Sequence, residues 1–113
     1  MKILHNPKCS TSRTALKLLE EKGAKLEIIK YIDDKLSVDE LKDIIKLIGI
    51  NPIELVRTKE PIWKEQFAGK SLSDDEIVNA MIEFPQLMER PIVIEGNRAV
   101  IGRPVEKVIE LLK

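Results

Sequence analysis

Apolar residues in this chain alternate between short unbroken runs and longer stripes at helical spacing, and turn residues mark most of the switches. The first run, Lys2 to His5, is too short for a helix and is broken by Asn6-Pro7, so it predicts a strand. From Thr11 to Lys22 the apolar positions Ala15, Leu16, Leu18 and Leu19 share a face, with Lys17, Glu20, Glu21 and Lys22 outside it. That pattern predicts an amphipathic helix, ended by Gly23 where a left-handed residue is favoured. Leu26 to Tyr31 is rich in branched apolar residues and predicts a second strand. Ser37 and Glu40 form a capping-box pattern, and Leu41, Ile44, Ile45 and Ile48 follow at helical spacing up to Gly49. Asn51-Pro52 begins a short helix, and Ser73 with Glu76 opens another through Ile77, Ala80, Met81 and Phe84. Pro91 to Glu95 and Ala99 to Ile101 predict two strands of a hairpin turning at Gly96-Asn97. Pro104 to Leu112 closes the chain as an amphipathic helix, with Val105, Val108, Ile109 and Leu112 expected inward.

The order is therefore a βαβ unit, a run of helices, and a ββα unit. It resembles a thioredoxin-like α/β fold: a four-stranded mixed sheet with a helical insertion at about 37–87 between the halves. No linker, repeat or low-complexity stretch interrupts the chain, so residues 1–113 are expected to form one domain.

Composition narrows the function. At 113 residues, 43% hydrophobic and 34% charged, the chain reads as folded, and its 19 basic and 19 acidic side chains cancel. Net charge therefore supplies no reason for a nucleic-acid or membrane-surface partner. No apolar run approaches the length of a membrane span, and MKILHNPKCS lacks the apolar stretch of a signal peptide, so a cytoplasmic location is expected. One cysteine and one histidine allow no intramolecular disulfide and no conventional zinc set, and neither a metal nor a bound cofactor is expected.

The chemistry concentrates at HNPKCSTSR, where Cys9 falls between the first strand and the first helix. A helix start presents unpaired N–H groups and the positive end of its dipole, which favours a thiolate over a thiol. Ser10, Thr11 and Ser12 add hydroxyls, either to cap the helix or to bind an anion. His5, at the end of the strand, can hydrogen-bond the thiol or its loop. Arg13, a turn into the helix, is either a solvated side chain or a further anion ligand.

HNPKCSTSR strongly resembles the active-site segment of the glutaredoxin-coupled arsenate reductase family. LVRTKE around Arg57, ERPIVIEG around Arg90-Pro91 and AVIGRP around Arg103 resemble its later motifs, in order and over nearly the whole chain. The resemblance implies that Cys9 is the nucleophile, that Arg57, Arg90 and Arg103 bind the oxyanion and its covalent adduct, that His5 is the histidine of the cysteine segment, and that Pro91 is a cis-proline. It implies reduction of arsenate to arsenite through a Cys9 adduct, with glutathione as co-substrate and glutaredoxin as partner, the chain acting as a monomer. Planar guanidinium groups suit a tetrahedral oxyanion, to which they donate paired hydrogen bonds. Two alternatives stand beside this. One is a related thiol oxidoreductase with another substrate. The other is an Spx-like RNA-polymerase-binding regulator, many of which carry a CxxC pair, whereas Ser12 fills that position here.

Overall fold

A computed structural model of the chain describes residues 1–112; Lys113, the last residue of the expected domain, lies outside them. The chain divides into two compact units, one formed by residues 1–34 with the chain from Arg90 onward, the other by Lys35–Glu89.

The first unit holds the whole sheet. β1 (Lys2–Leu4) leads into α1 (Ser10–Glu21), β2 (Glu27–Ile29) returns, and β3 (Ile92–Glu95) and β4 (Arg98–Ile101) follow later in the chain. The strand order is β2-β1-β3-β4. β1 pairs with β2 in parallel, Ile3 opposite Ile28, and with β3 antiparallel, Ile3 opposite Val93. β3 and β4 form the antiparallel hairpin, with Val93 opposite Val100. The expected mixed sheet of a βαβ and a ββα half is thus the sheet observed, each strand one to three residues shorter than its apolar run except β4, which starts one residue earlier. The helix pattern ends at Gly23, whose φ of 79° lies in the left-handed region that glycine enters without strain.

Ala15 and Leu19 of α1 pack with Ile3 and Val93 of the sheet and with Val108 and Leu111 of the last segment in one buried cluster. That last segment, Val105–Leu112, is a 3-10 helix rather than the expected α-helix. With three residues per turn, side chains at i and i+3 stack over one another. Val108 and Leu111 are therefore the buried pair, whereas Leu112, expected inward from α-helical spacing, is exposed. Arg98 Nη2 donates to the Leu111 carbonyl at 3.2 Å, tying the hairpin to this segment.

The Lys35–Glu89 unit is helical. It contains α2 (Val38–Ile48), α3 (Pro61–Gln66) and α4 (Asp74–Glu83), with one short 3-10 turn at Pro52–Leu55 between α2 and α3 and another at Pro85–Leu87 after α4. Both capping boxes close: Ser37 Oγ accepts the Glu40 N–H at 3.1 Å and Ser73 Oγ the Glu76 N–H at 3.2 Å, while each glutamate accepts the N–H of its serine. α2 and α4 pack together, joined at the surface by Lys42–Asp75 at 2.8 Å. Trp63 of α3, which no local sequence pattern marks, is buried and stacks on Phe67 at 5.3 Å between ring centroids. Among the described residues, no helix is long and apolar enough to cross a membrane.

Candidate active site

Cys9 lies between β1 and α1, in a loop that its own backbone bonds hold. Asn6 Oδ1 accepts the Lys8 N–H at 3.0 Å, and the Asn6 carbonyl accepts the Cys9 N–H at 3.0 Å. Arg13 reaches back from α1 and donates from Nη1 to the Pro7 carbonyl at 2.9 Å. Arg13 thus braces the loop, the contact that the sequence could not specify for it. Cys9 is itself the residue before the first helical turn, with extended backbone (φ −97°, ψ 122°), and its carbonyl accepts the Arg13 N–H at 3.0 Å. Serine, threonine or aspartate oxygen usually stands at this position. Here it is sulfur, beside a first turn that contains no acidic residue.

Ser12 is fully buried and its hydroxyl is committed to the loop: Oγ lies 2.7 Å from His5 Nδ1 and accepts the Asn6 N–H at 3.1 Å. It therefore serves the sulfur through its backbone amide, not through a hydroxyl offered to an anion. His5 is buried as well, and its backbone N–H donates to the Ile29 carbonyl at 2.9 Å. Burial, then the nearby charges of Lys30 and Arg13, hold the His5 imidazole below its usual range. A neutral ring with its proton on Nε2 accepts the Ser12 hydroxyl proton at Nδ1, which accounts for the short contact. His5 thus contacts the Ser12 hydroxyl rather than the sulfur, and Ser12 reaches the sulfur by its backbone amide.

Two arginines flank the half-buried sulfur. Arg103 Nη2 lies 3.9 Å from Sγ, and its Nε donates to the Arg90 carbonyl at 2.9 Å, which fixes the guanidinium plane. Arg90 hydrogen-bonds the sulfur as well. Burial alone pushes the Cys9 thiol up. The Ser12 amide, the hydrogen bond and charge of Arg90, and the Thr11 amide outweigh it, and the thiol falls below its ordinary range. Arg90 in turn is held charged: burial works against it, but the Cys9 sulfur and the buried Tyr31 hydroxyl prevail. Tyr31 reads in the sequence only as the end of an apolar run, and nothing local marks it as a neighbour of Arg90. The Arg90–Pro91 and Arg103–Pro104 peptide bonds are both cis, so each of the two arginines precedes a cis-proline. Gly102 sits tightly against Pro91 and donates its N–H to the Pro91 carbonyl at 2.8 Å.

Ser10 and Thr11, the two residues that follow Cys9, line an open groove together with Thr14 and the segment 103–106. Arg57 belongs to the Lys35–Glu89 unit, where its N–H donates to the Leu87 carbonyl at 2.6 Å and its Nη1 lies 3.6 Å from Glu60. Among the described residues no group of three or more histidine, cysteine, aspartate or glutamate side chains could hold a metal ion.

A cysteine at a helix N-terminus with two arginines at its sulfur favours a thiolate and suits an anion. Residues 4–111 match the model of the ArsC family. The chain belongs to the ArsC family. Its relatives include the arsenate reductase of Haemophilus influenzae (strain ATCC 51907 / DSM 11121 / KW20 / Rd), 45% identical over 97% of both chains. They also include the uncharacterized protein YfgD of Escherichia coli (strain K12), 44% identical over 99% of this chain and 96% of that one. The solved structure of an arsenate reductase from Vibrio cholerae superposes with a TM-score of 0.91, at 45% identity over 98% of each chain. The four-stranded mixed sheet and its helices are thus the thioredoxin-like architecture of ArsC proteins.

Proposed function

We propose that this ArsC-family chain is an arsenate reductase in which Cys9 is the nucleophile, glutathione the reductant and a glutaredoxin the protein that regenerates the thiol. The observation that carries the reading is the Cys9 sulfur at the start of α1, bonded by Arg90 and facing Arg103 Nη2 at 3.9 Å. The same two guanidinium groups that favour the thiolate suit an oxyanion brought to it, and they hold the negative charge that both share.

The Cys9 thiolate attacks arsenic; a sulfur–arsenic bond forms, one oxygen leaves as water, and arsenic remains As(V). A glutathione thiolate then attacks Sγ. The sulfur–sulfur bond forms as the sulfur–arsenic bond breaks, and the bonding pair stays on arsenic, which departs as arsenite, As(III). Two thiolates have supplied the two electrons and end as a mixed disulfide on Cys9. With no second cysteine in the chain, that disulfide is opened from outside, by a glutaredoxin thiolate attacking the glutathione sulfur. Such thiol chemistry needs a reducing compartment, which argues for the cytoplasm.

Steady-state arsenite formation by the purified protein with glutathione and glutaredoxin tests the reading. Wild type should turn over and Cys9→Ser should not; an inactive wild type overturns it. Sulfate or arsenate titration of Arg90→Lys and Arg103→Lys should show weaker binding, because lysine keeps the charge but loses the planar fork. The same titration of Arg57→Lys asks whether the third arginine of the sequence pattern takes part in binding.

A further inference from the structure

Arg57 and Glu60 face each other within the Lys35–Glu89 unit, with Arg57 Nη1 3.6 Å from Glu60 Oε1. That distance makes an ion pair but exceeds a hydrogen bond, which spans about 2.7–3.2 Å from nitrogen to oxygen. Arg57 Nη1 is nevertheless shut off from solvent, and it has no hydrogen-bond partner among the described residues. A buried guanidinium N–H without an acceptor is uncommon, because it has given up water for no bond in return. An anion that accepts from it completes such a group. The backbone holds both residues without help from their side chains. The Arg57 N–H donates to the Leu87 carbonyl at 2.6 Å, and the Glu60 N–H to the Arg57 carbonyl at 3.0 Å. Glu60 precedes the first turn of α3, where its carbonyl accepts the Trp63 N–H at 3.1 Å, yet its carboxylate caps no helix N–H. The carboxylate is turned to Arg57 instead. The two side chains are 27% and 25% exposed, so a small anion in solution can reach the pair.

We infer that Glu60 is a positioning residue that holds Arg57 in reserve: its carboxylate stands in for a tetrahedral oxyanion, and an arriving oxyanion displaces it to take the guanidinium. What Arg57 then binds rests on the oxyanion chemistry proposed above. A carboxylate kept beyond hydrogen-bond distance is a weak competitor, because an oxyanion brings both charge and a directed acceptor to Nη1. Glu60 therefore lowers the affinity of the pair for anions without blocking it.

Glu60→Gln keeps the shape of the side chain and an acceptor oxygen, so Arg57 stays placed while the competing charge is removed. Inorganic sulfate, titrated into the labelled protein and read at the Thr58 backbone amide, should bind this variant about two- to fivefold more tightly, the effect of a single ion pair. Glu60→Asp keeps the charge and should stay closer to wild type than Glu60→Gln does. Glu65→Gln removes an exposed charge from the same helix and should leave sulfate affinity unchanged. In the double variant Arg57→Gln with Glu60→Gln the gain should vanish, because the two side chains act on one another. A purely structural role for Glu60 predicts the reverse, since loosening Arg57 weakens sulfate. Equal or weaker binding by Glu60→Gln, the same gain from Glu65→Gln, or a gain that survives without Arg57 overturns the assignment. The two readings fail separately. Tighter sulfate binding by Glu60→Gln, with a wild type that does not reduce arsenate, leaves Glu60 its role and removes arsenate; arsenate reduction with sulfate affinity unmoved by Glu60→Gln removes the role of Glu60.

Discussion

Ser12→Ala tests how the loop holds the nucleophile. The hydroxyl is fully buried, 2.7 Å from His5 Nδ1 and 3.1 Å from the Asn6 N–H, and α1 begins only two residues earlier. Alanine is an excellent helix former, so the substitution removes the hydroxyl without a penalty from helix propensity. Each lost hydrogen bond contributes about 1 kcal/mol net, and a buried partner left unsatisfied raises that to about 1–3 kcal/mol. His5 is only 6% exposed, which leaves its ring little access to water as a substitute. The total loss should be about 2–4 kcal/mol, a large share of the roughly 5–15 kcal/mol of a typical domain. Urea unfolding followed by far-UV circular dichroism should show a lower midpoint at unchanged slope. The Ser12 amide also serves the sulfur, so loosening the loop should move the inflection of Cys9 alkylation by iodoacetamide to higher pH. A loss below about 0.5 kcal/mol, the range of an ordinary surface change, with an unmoved inflection would refute the reasoning.

Gly102→Ala should cost about 1–3 kcal/mol by overpacking, because a Cβ there meets Pro91 Cγ at 2.9 Å and Val108 Cγ1 at 3.1 Å; a thermal melt unchanged from wild type counts against it. His5 is the chain's one histidine, so its ring gives a single NMR titration, and its inflection should fall below the ordinary value of about 6.5. Its contribution to stability is accordingly lost as pH falls below about 6.5, where the unfolded chain takes the proton first. Cys9 behaves in the opposite pH range. Its depressed thiol makes the stability advantage of wild type over Cys9→Ser grow as pH rises toward the unfolded value of about 8.5, and a difference flat with pH contradicts the thiolate.

The parts of the fold that were legible in the sequence are those fixed by local rules. Ser37/Glu40 and Ser73/Glu76 announced two helix starts, and Gly96-Asn97 announced the hairpin, because caps and tight turns need particular residues at fixed offsets. α3 left no such mark: six residues are too few for a period, and its anchor Trp63 is defined by what it packs on, although Pro61 at its first position was a usable signal. The last helix was found but not its register, since α and 3-10 spacings both fit Val105, Val108 and the leucines, and tertiary packing chose Leu111 over Leu112. At the site, Cys9 followed from its place between strand and helix. The commitment of the Ser12 hydroxyl to His5, the Arg13 brace on Pro7 and the contact of Tyr31 with Arg90 are relations between side chains that no single position encodes.

The most direct test of Cys9 as the nucleophile is the intact mass of the protein after incubation with arsenate and glutathione in the absence of glutaredoxin. With no glutaredoxin to speed the opening of the mixed disulfide, wild type should carry one added glutathione and Cys9→Ser none. A wild-type mass that stays unmodified, with no arsenite formed even after glutaredoxin is supplied, would contradict the mechanism.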